Sequence, residues 1–261
     1  MTARIPVAVQ NADRHSRRML TAPLRYAVYF APPADGPLAR FGAAWLGRDA
    51  AATGSRPIRP PVPGIDPDLA ERITAEPRRY GFHATLKPPF ALAEGRTEAE
   101  LVASLRAFAA ARRPFVAPPL RLAAIGRFLA LMPDDAAPML HALADDCVST
   151  FDAFRAPPSE QELARRRRAP LTPRHDENLR RWGYPYVFES FRFHITLTGP
   201  IADDTLRETV AAGLQPLVEP FARASLAVDA VTLFVEEDGD DPRPFRVAAR
   251  FPFGDAESSS R

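Results

Sequence analysis

The chain has 261 residues, 46% of them hydrophobic and 25% charged, which is enough apolar material for one large or two small buried cores. A formal net charge of +2 excludes the heavily cationic profile of a dedicated duplex binder, and a single cysteine, Cys147, excludes an internal disulfide and fits a reducing, cytoplasmic setting. No apolar run approaches the roughly 18 residues of a membrane-spanning helix.

In chain order, residues 1–22 read as a disordered tail. Arg17-Arg18 is not followed by the apolar region and small-residue cleavage site of an export signal, and Met19 is a candidate start. A single two-lobed domain is expected over 23–252, with 253–261 as a flexible tail. It opens with a strand from Arg25 to Phe30, stopped by Pro32-Pro33, and a helix from Pro37 to Leu46. The proline-rich stretch from Thr53 to Pro67 reads as an exposed connection, and a short helix from Asp68 to Thr74 leads to a strand near 82–87. Thr97 to Arg112 reads as a helix with Thr97 as N-cap, Glu100 as its capping-box partner, and Leu101, Leu105 and Phe108 on one stripe.

The segment from Leu120 to Met132 reads as a strand broken at Gly126, and Asp134 or Asp135 caps a helix reaching about Phe154. Cys147 on that helix reads as a small hydrophobe, because His141, six residues earlier, lies on a skewed face and cannot activate it. Pro157 to Arg181 is the least regular and most charged part. A strand near 192–198 follows, then a helix capped by Asp203 and running to about Val218. Strands from Ser225 to Val235 and Phe245 to Phe251 close the fold as a hairpin through the acidic turn Glu236 to Asp241.

Two short strands carry the same tetrad: His83-Ala84-Thr85-Leu86 and His194-Ile195-Thr196-Leu197. At average threonine and leucine usage, two such tetrads among five histidines arise by accident on the order of once in a thousand sequences or less. In a strand, side chains alternate between faces, so each copy offers an imidazole and a hydroxyl on one side and an apolar anchor on the other. Two imidazoles facing each other can run acid–base chemistry near neutral pH, and two hydroxyls beside them can hold an anion. A phosphodiester meets that description.

Lys87 is the sole lysine among 34 basic residues, and simple alternation puts it on the face of His83 and Thr85; Arg192 holds the analogous place two residues before His194. Both are candidate substrate contacts. No metal site is expected, since neither motif has a further His, Cys or carboxylate at ligand spacing, and neither a phosphate-cradling glycine loop nor a nucleophile elbow is present.

At these residues the sequence resembles the two-histidine (2H) phosphoesterase superfamily, whose signature is a pair of His-x-Thr/Ser-hydrophobic motifs. The strings RYAVYFAPP, RYGFHATLKPPF and RWGYPYVFESFRFHITLTGP resemble more narrowly the bacterial subgroup encoded beside phosphonate-degradation genes. The resemblance implies an α+β, bilobal fold, with two pseudo-symmetric antiparallel sheets lining a central cleft and helices outside. It implies attack on a phosphodiester without metal or cofactor, with His83 and His194 as the acid–base pair and Thr85 and Thr196 holding phosphate oxygens. A ribose 1,2-cyclic phosphate bearing a 5-phosphate, from phosphonate catabolism, is the substrate it implies first.

Tyr184, in the Gly- and Pro-shaped loop before the second motif, is a candidate substrate contact; Tyr186 is a weaker one, and Tyr80 reads as packing. The run Arg165-Arg166-Arg167-Arg168 reads as a solvated helix surface or, functionally, as a wall attracting a polyanion. The partner expected is a small phosphorylated substrate. Cleavage of RNA 2′,3′-cyclic phosphate ends is the alternative enzymatic reading, favoured if that run lines the cleft and activity falls steeply with salt. A non-catalytic nucleotide- or RNA-binding module is the third. The sequence carries no signal of oligomeric state.

Overall fold

A computed structural model describes residues 24–52, 57–168, 170–237 and 243–254. The expected tail 1–22, the expected tail 253–261 apart from residues 253–254, most of the acidic turn and the start of the proline-rich connection lie outside the described residues.

The first strand and helix form where the sequence predicts, as β1 (Arg25–Phe30) and α1 (Pro37–Leu46). Along β1, Tyr26, Val28 and Phe30 enter the main core, whereas Ala27 and Tyr29 pack on the other face with Phe234 and Phe245. This two-residue period makes β1 a wall between core and cleft.

Helix α2 (Pro67–Tyr80) is longer than expected and runs through Pro77. A proline inside a helix removes the hydrogen bond to the carbonyl four residues back, here that of Ile73. Gly199, just past the second motif, donates its N–H to Ile73 O at 2.6 Å. The freed carbonyl thus tethers the second motif to the helix that precedes the first.

The first motif opens β2 (Ala84–Ala91), and α3 (Glu98–Ala110) has the predicted capping box between Thr97 and Glu100. A short strand β3 (Phe115–Ala117) precedes β4 (Leu120–Ile125) and β5 (Phe128–Pro133), which turn at Gly126, φ +57°, as a tight hairpin. Helix α4 (Pro138–Thr150) starts at Pro138 without a side-chain cap, so neither Asp134 nor Asp135 caps it. Cys147 is buried in it, and burial pushes its thiol well up, as befits a core residue.

The charged segment is more regular than expected. It folds as α5 (Glu160–Arg166), with a Ser159–Glu162 capping box, and α6 (Pro173–Trp182), capped by Thr172 and stopped by Gly183 in the left-handed conformation. The second motif contributes only β6 (Ile195–Thr196), and α7 (Asp204–Ala222) follows its Asp203 cap. The predicted strand from Ser225 to Val235 is two: β7 (Leu226–Val228) pairs with β3, and after Asp229 the chain switches sheets as β8 (Ala230–Glu236), which pairs with β9 (Phe245–Pro252).

The α+β class holds. The two expected sheets are joined into one antiparallel sheet of seven strands, ordered β4-β5-β6-β2-β1-β8-β9, beside the small β3-β7 ribbon. The seam is a single pairing, Ala84 with Ile195, between the two motifs. The halves also exchange strands: β8 and β9 from late in the chain extend β1-β2, and β4-β5 from its middle extend β6. No helix among the described residues is long and apolar enough to cross a membrane.

Candidate active site

The pairing of Ala84 with Ile195 is antiparallel, so His83 faces Thr196 and Thr85 faces His194 one residue to either side. Directly opposed residues have Cβ atoms about 4.5–5.5 Å apart. Two imidazoles and two hydroxyls therefore stand at the corners of a square, each histidine opposite the other motif's threonine. All four line one cavity of about 670 Å³.

Each histidine is oriented the same way. His83 Nδ1 lies 2.9 Å from Gly81 O, and His194 Nδ1 lies 2.8 Å from Arg192 O. A carbonyl only accepts, so Nδ1 carries the proton in both and the neutral ring turns its Nε2 lone pair to the cavity. Thr85 Oγ1, 3.3 Å from His83 Nε2, can donate to it. Gly81 makes its contact with φ +76° and ψ −179°, a region only glycine reaches cheaply.

The two sites are not electrostatic twins. His83 stacks on Tyr29 at 3.8 Å between ring centroids, and Tyr80 and Phe234 close its sides. Burial pulls its pKa from 6.5 down to about 4, against the bond to Gly81 O and with some help from His194. Burial also lowers His194, against the bond to Arg192 O, but among the described aromatic rings Phe128 alone lies against it, at 5.7 Å.

Further out, Tyr184 and Tyr186 line the cavity edge to face at 5.6 Å, with the Arg166 guanidinium 4.9 Å over the Tyr184 ring. Arg165, Arg166 and Arg168 form one wall of the cavity, whereas Arg167 is turned to Asp176 at 2.7 Å. A second cavity of about 600 Å³ shares Thr85, His194 and the two tyrosines and is lined on its far side by Asp145, His175, Ser190 and Arg192. Arg192 thus reaches the neighbourhood of the motifs through this second cavity.

Lys87 does not belong to the site. It is 1% exposed, and its Nζ donates to Val148 O at 3.0 Å and lies 3.4 Å from Asp152 Oδ1. The cause is a β-bulge: Thr85 pairs with Tyr29 but Lys87 with Val28, so the extra residue flips Lys87 onto the core face. Burial lowers its pKa to about 8, partly offset by Asp152. Replacing Lys87 with Met is therefore expected to leave kcat/KM within about threefold of wild type and to cost ~1–3 kcal/mol of stability, read from activity and urea unfolding. Asp152 keeps Arg155 at 2.8 Å in that variant.

Tyr80 is the reverse case. Expected to be packing, it lines the cavity because it ends α2 and not a strand. Arg25, Tyr29 and Phe128 also line it and were not singled out from sequence. Among the described residues no three His, Cys, Asp or Glu side chains gather as a metal cluster.

Residues 85–246, most of the chain, match the family model described as protein of unknown function (DUF1045). The chain belongs to this family. The DUF1045 match takes in Thr85, the arginine run, Tyr184 and the whole second motif, and begins two residues after His83. Among curated proteins, this DUF1045 chain is 43% identical over 241 residues to a "Ribose 1,5-bisphosphate phosphokinase PhnN" from Janthinobacterium sp. (strain Marseille), covering 90% of the chain and 52% of the relative. It is 38% identical over 221 residues to a protein of the same name from Laribacter hongkongensis (strain HLHK9), covering 82% and 49%. The chain spans about half the length of these relatives. Among solved structures it is similar to E. coli LigT complexed with NADP+, with TM-score 0.43 and 14% identity over 90% of this chain and all of that one.

Proposed function

We propose that the chain is a metal-independent cyclic phosphodiesterase of the two-histidine kind, opening ribose 5-phosphate 1,2-cyclic phosphate in phosphonate catabolism. The observation that carries this reading is the square of His83, Thr85, His194 and Thr196 across one strand seam, with both Nε2 atoms turned to a shared cavity.

In this reading His83, the more buried and more readily neutral histidine, is the general base. Its Nε2 takes a proton from water as the oxygen attacks phosphorus. Thr85 and Thr196 donate to the phosphoryl oxygens as negative charge grows on them. The P–O2 bond breaks in line, and protonated His194, still donating Nδ1–H to Arg192 O, gives its Nε2 proton to the departing O2. One water is consumed, one monoester and one hydroxyl form, and solvent resets the two imidazoles.

The relatives' name supports the choice of bond. Opening the ring at P–O2 yields ribose 1,5-bisphosphate, the compound in that name, whereas opening at P–O1 would yield the 2,5-bisphosphate. The kinase in the name belongs, on this reading, to the part of the relatives that the chain does not span. A phosphate-cradling loop ends in Gly-Lys-Ser/Thr, and here the one lysine follows Leu86 and precedes Pro88.

The assignment fixes a pH profile. His83 must be neutral, so activity is lost as pH falls through its pKa of about 4; His194 must be protonated, so activity is lost as pH rises through a pKa held below 6.5. The kcat/KM bell, which reports the free enzyme, is expected on the acid side of neutrality. A profile taken from about pH 3 to 9 that falls only above pH 7 would count against this pairing of roles.

RNA 2′,3′-cyclic phosphate ends are the second reading, favoured by the arginine wall of the cavity. The deciding experiment follows product by phosphorus NMR, in excess chelator, from the ribose compound, a 2′,3′-cyclic mononucleotide and a short RNA with a 2′,3′-cyclic end. Ribose 1,5-bisphosphate as the fastest-formed product supports the first reading. Preference for RNA, with a steep loss of rate in salt, replaces it with the second.

A further inference from the structure

We propose that Arg165, Arg166 and Arg168 build a second anion site, which holds a phosphate monoester that the substrate carries away from the bond being cut. The inference rests on the cyclic phosphodiesterase reading and extends it from the reacting phosphate to the rest of the substrate.

A helix C-terminus favours cations whatever their role, so the place of these arginines at the end of α5 says little by itself. Their pairing says more. Arg167, in the middle of the run, turns outward to Asp176, which also takes Arg180. The other three point to the cavity and have no carboxylate partner among the described residues. Arg25, on the same wall, is already neutralised by the buried Glu236. Among the described residues, Glu76 is the one carboxylate that lines the cavity. Three guanidiniums left uncompensated at one end of a shared cavity form a field that an anion would satisfy.

The geometry selects a compact anion. The short helix is fixed at its start by the reciprocal bonds of Ser159 and Glu162, at 3.2 and 3.0 Å. The Arg166 guanidinium lies 4.9 Å from the centroid of the Tyr184 ring, and Tyr184 lines both cavities. Arg166 therefore occupies one face of the Tyr184 ring, beside Leu171 and Pro185, while Tyr80, Phe128 and Tyr186 line the cavity elsewhere. A dianionic monoester accepts several guanidinium hydrogen bonds at once, and about 670 Å³ holds a sugar bearing two phosphates. A polynucleotide would need a basic track leading out of the cavity.

The test compares two substrates that differ only in the distant phosphate: ribose 5-phosphate 1,2-cyclic phosphate and ribose 1,2-cyclic phosphate. Each of Arg165→Gln, Arg166→Gln and Arg168→Gln is expected to lower kcat/KM on the first about tenfold, mainly through KM, and the triple variant about a hundredfold or more. On the second substrate the variants should stay within about threefold of wild type. Arg167→Gln, in the same run but facing out, should change neither. Equal losses on both substrates, or none on either, would overturn the proposal. Calorimetric titration with ribose 5-phosphate gives a readout independent of turnover. Wild-type protein and its His83→Gln variant should bind it and the triple variant should not, so a failure of catalysis and a failure of this site are told apart. Affinity for a short RNA that falls more than affinity for ribose 5-phosphate in the triple variant would overturn the assignment to a small substrate. Unfolding curves of the triple variant, expected to match wild type, exclude collapse of α5 as the cause of any loss.

Discussion

Replacing His83 or His194 with glutamine is expected to lower kcat on the cyclic phosphate about a thousandfold or more, with the double variant little worse than either single one. Glutamine is close in size, and its amide can still donate to the carbonyl of Gly81 or Arg192, so the strand seam should survive. What it cannot do is move a proton at neutral pH. The singles approach the double because base and acid act on one in-line displacement, and removing either strands the other. An aryl phosphodiester separates the roles, because a nitrophenolate leaves without needing a proton. On that substrate His194→Gln should recover most of its lost rate and His83→Gln none. Recovery in the opposite variant would exchange base and acid; full activity of either variant on the cyclic phosphate would end the two-histidine reading. Circular dichroism of each variant checks that the loss is chemical.

What the sequence made legible is what depends on near neighbours. The alternation that puts His83 with Thr85 and His194 with Thr196 is a property of a few consecutive residues, and so is the Thr97–Glu100 capping box. Lys87 was misplaced by the same alternation, because a bulge between Thr85 and Lys87 breaks the two-residue period and nothing local announces it. Helix α6 had its signals in plain view, Thr172, Pro173 and Gly183, but they sit inside a charged run that looks irregular. Tyr29 and Arg25 reach the cavity through the pairing of β1 with β2 and β8. These are contacts across about 60 and 210 residues of chain, for which periodicity carries no information. The same holds for Gly199 N–H on Ile73 O: the proline is visible, but the donor that answers it is not.

Glu236 combines these non-local features, and its removal is expected to have the largest effect on stability of any single polar substitution here. It ends β8 with a side chain 1% exposed. Its carboxylate accepts the Arg25 backbone N–H at 3.2 Å and Arg25 Nε at 3.0 Å, with a second guanidinium nitrogen of Arg25 closer still. Arg79 Nη2 lies 3.4 Å from Oε1 and Arg243 Nη2 3.1 Å from Oε2. Three guanidiniums from three parts of the chain thus converge on one anion, and each would repel the others without it. Glu236→Ala is expected to cost ~3–5 kcal/mol, seen in urea as a lower midpoint with an unchanged slope. Glu236→Gln keeps the shape and part of the hydrogen bonding but not the charge, and should cost about half as much. The loss should also reach function, because Arg25 lines the cavity and Arg79 directly precedes Tyr80, which stands beside His83. The fraction that remains folded should then show a raised KM. A Glu236→Ala protein within about 1 kcal/mol of wild type would mean that the arginines' other partners and solvent, and not this carboxylate, stabilise them.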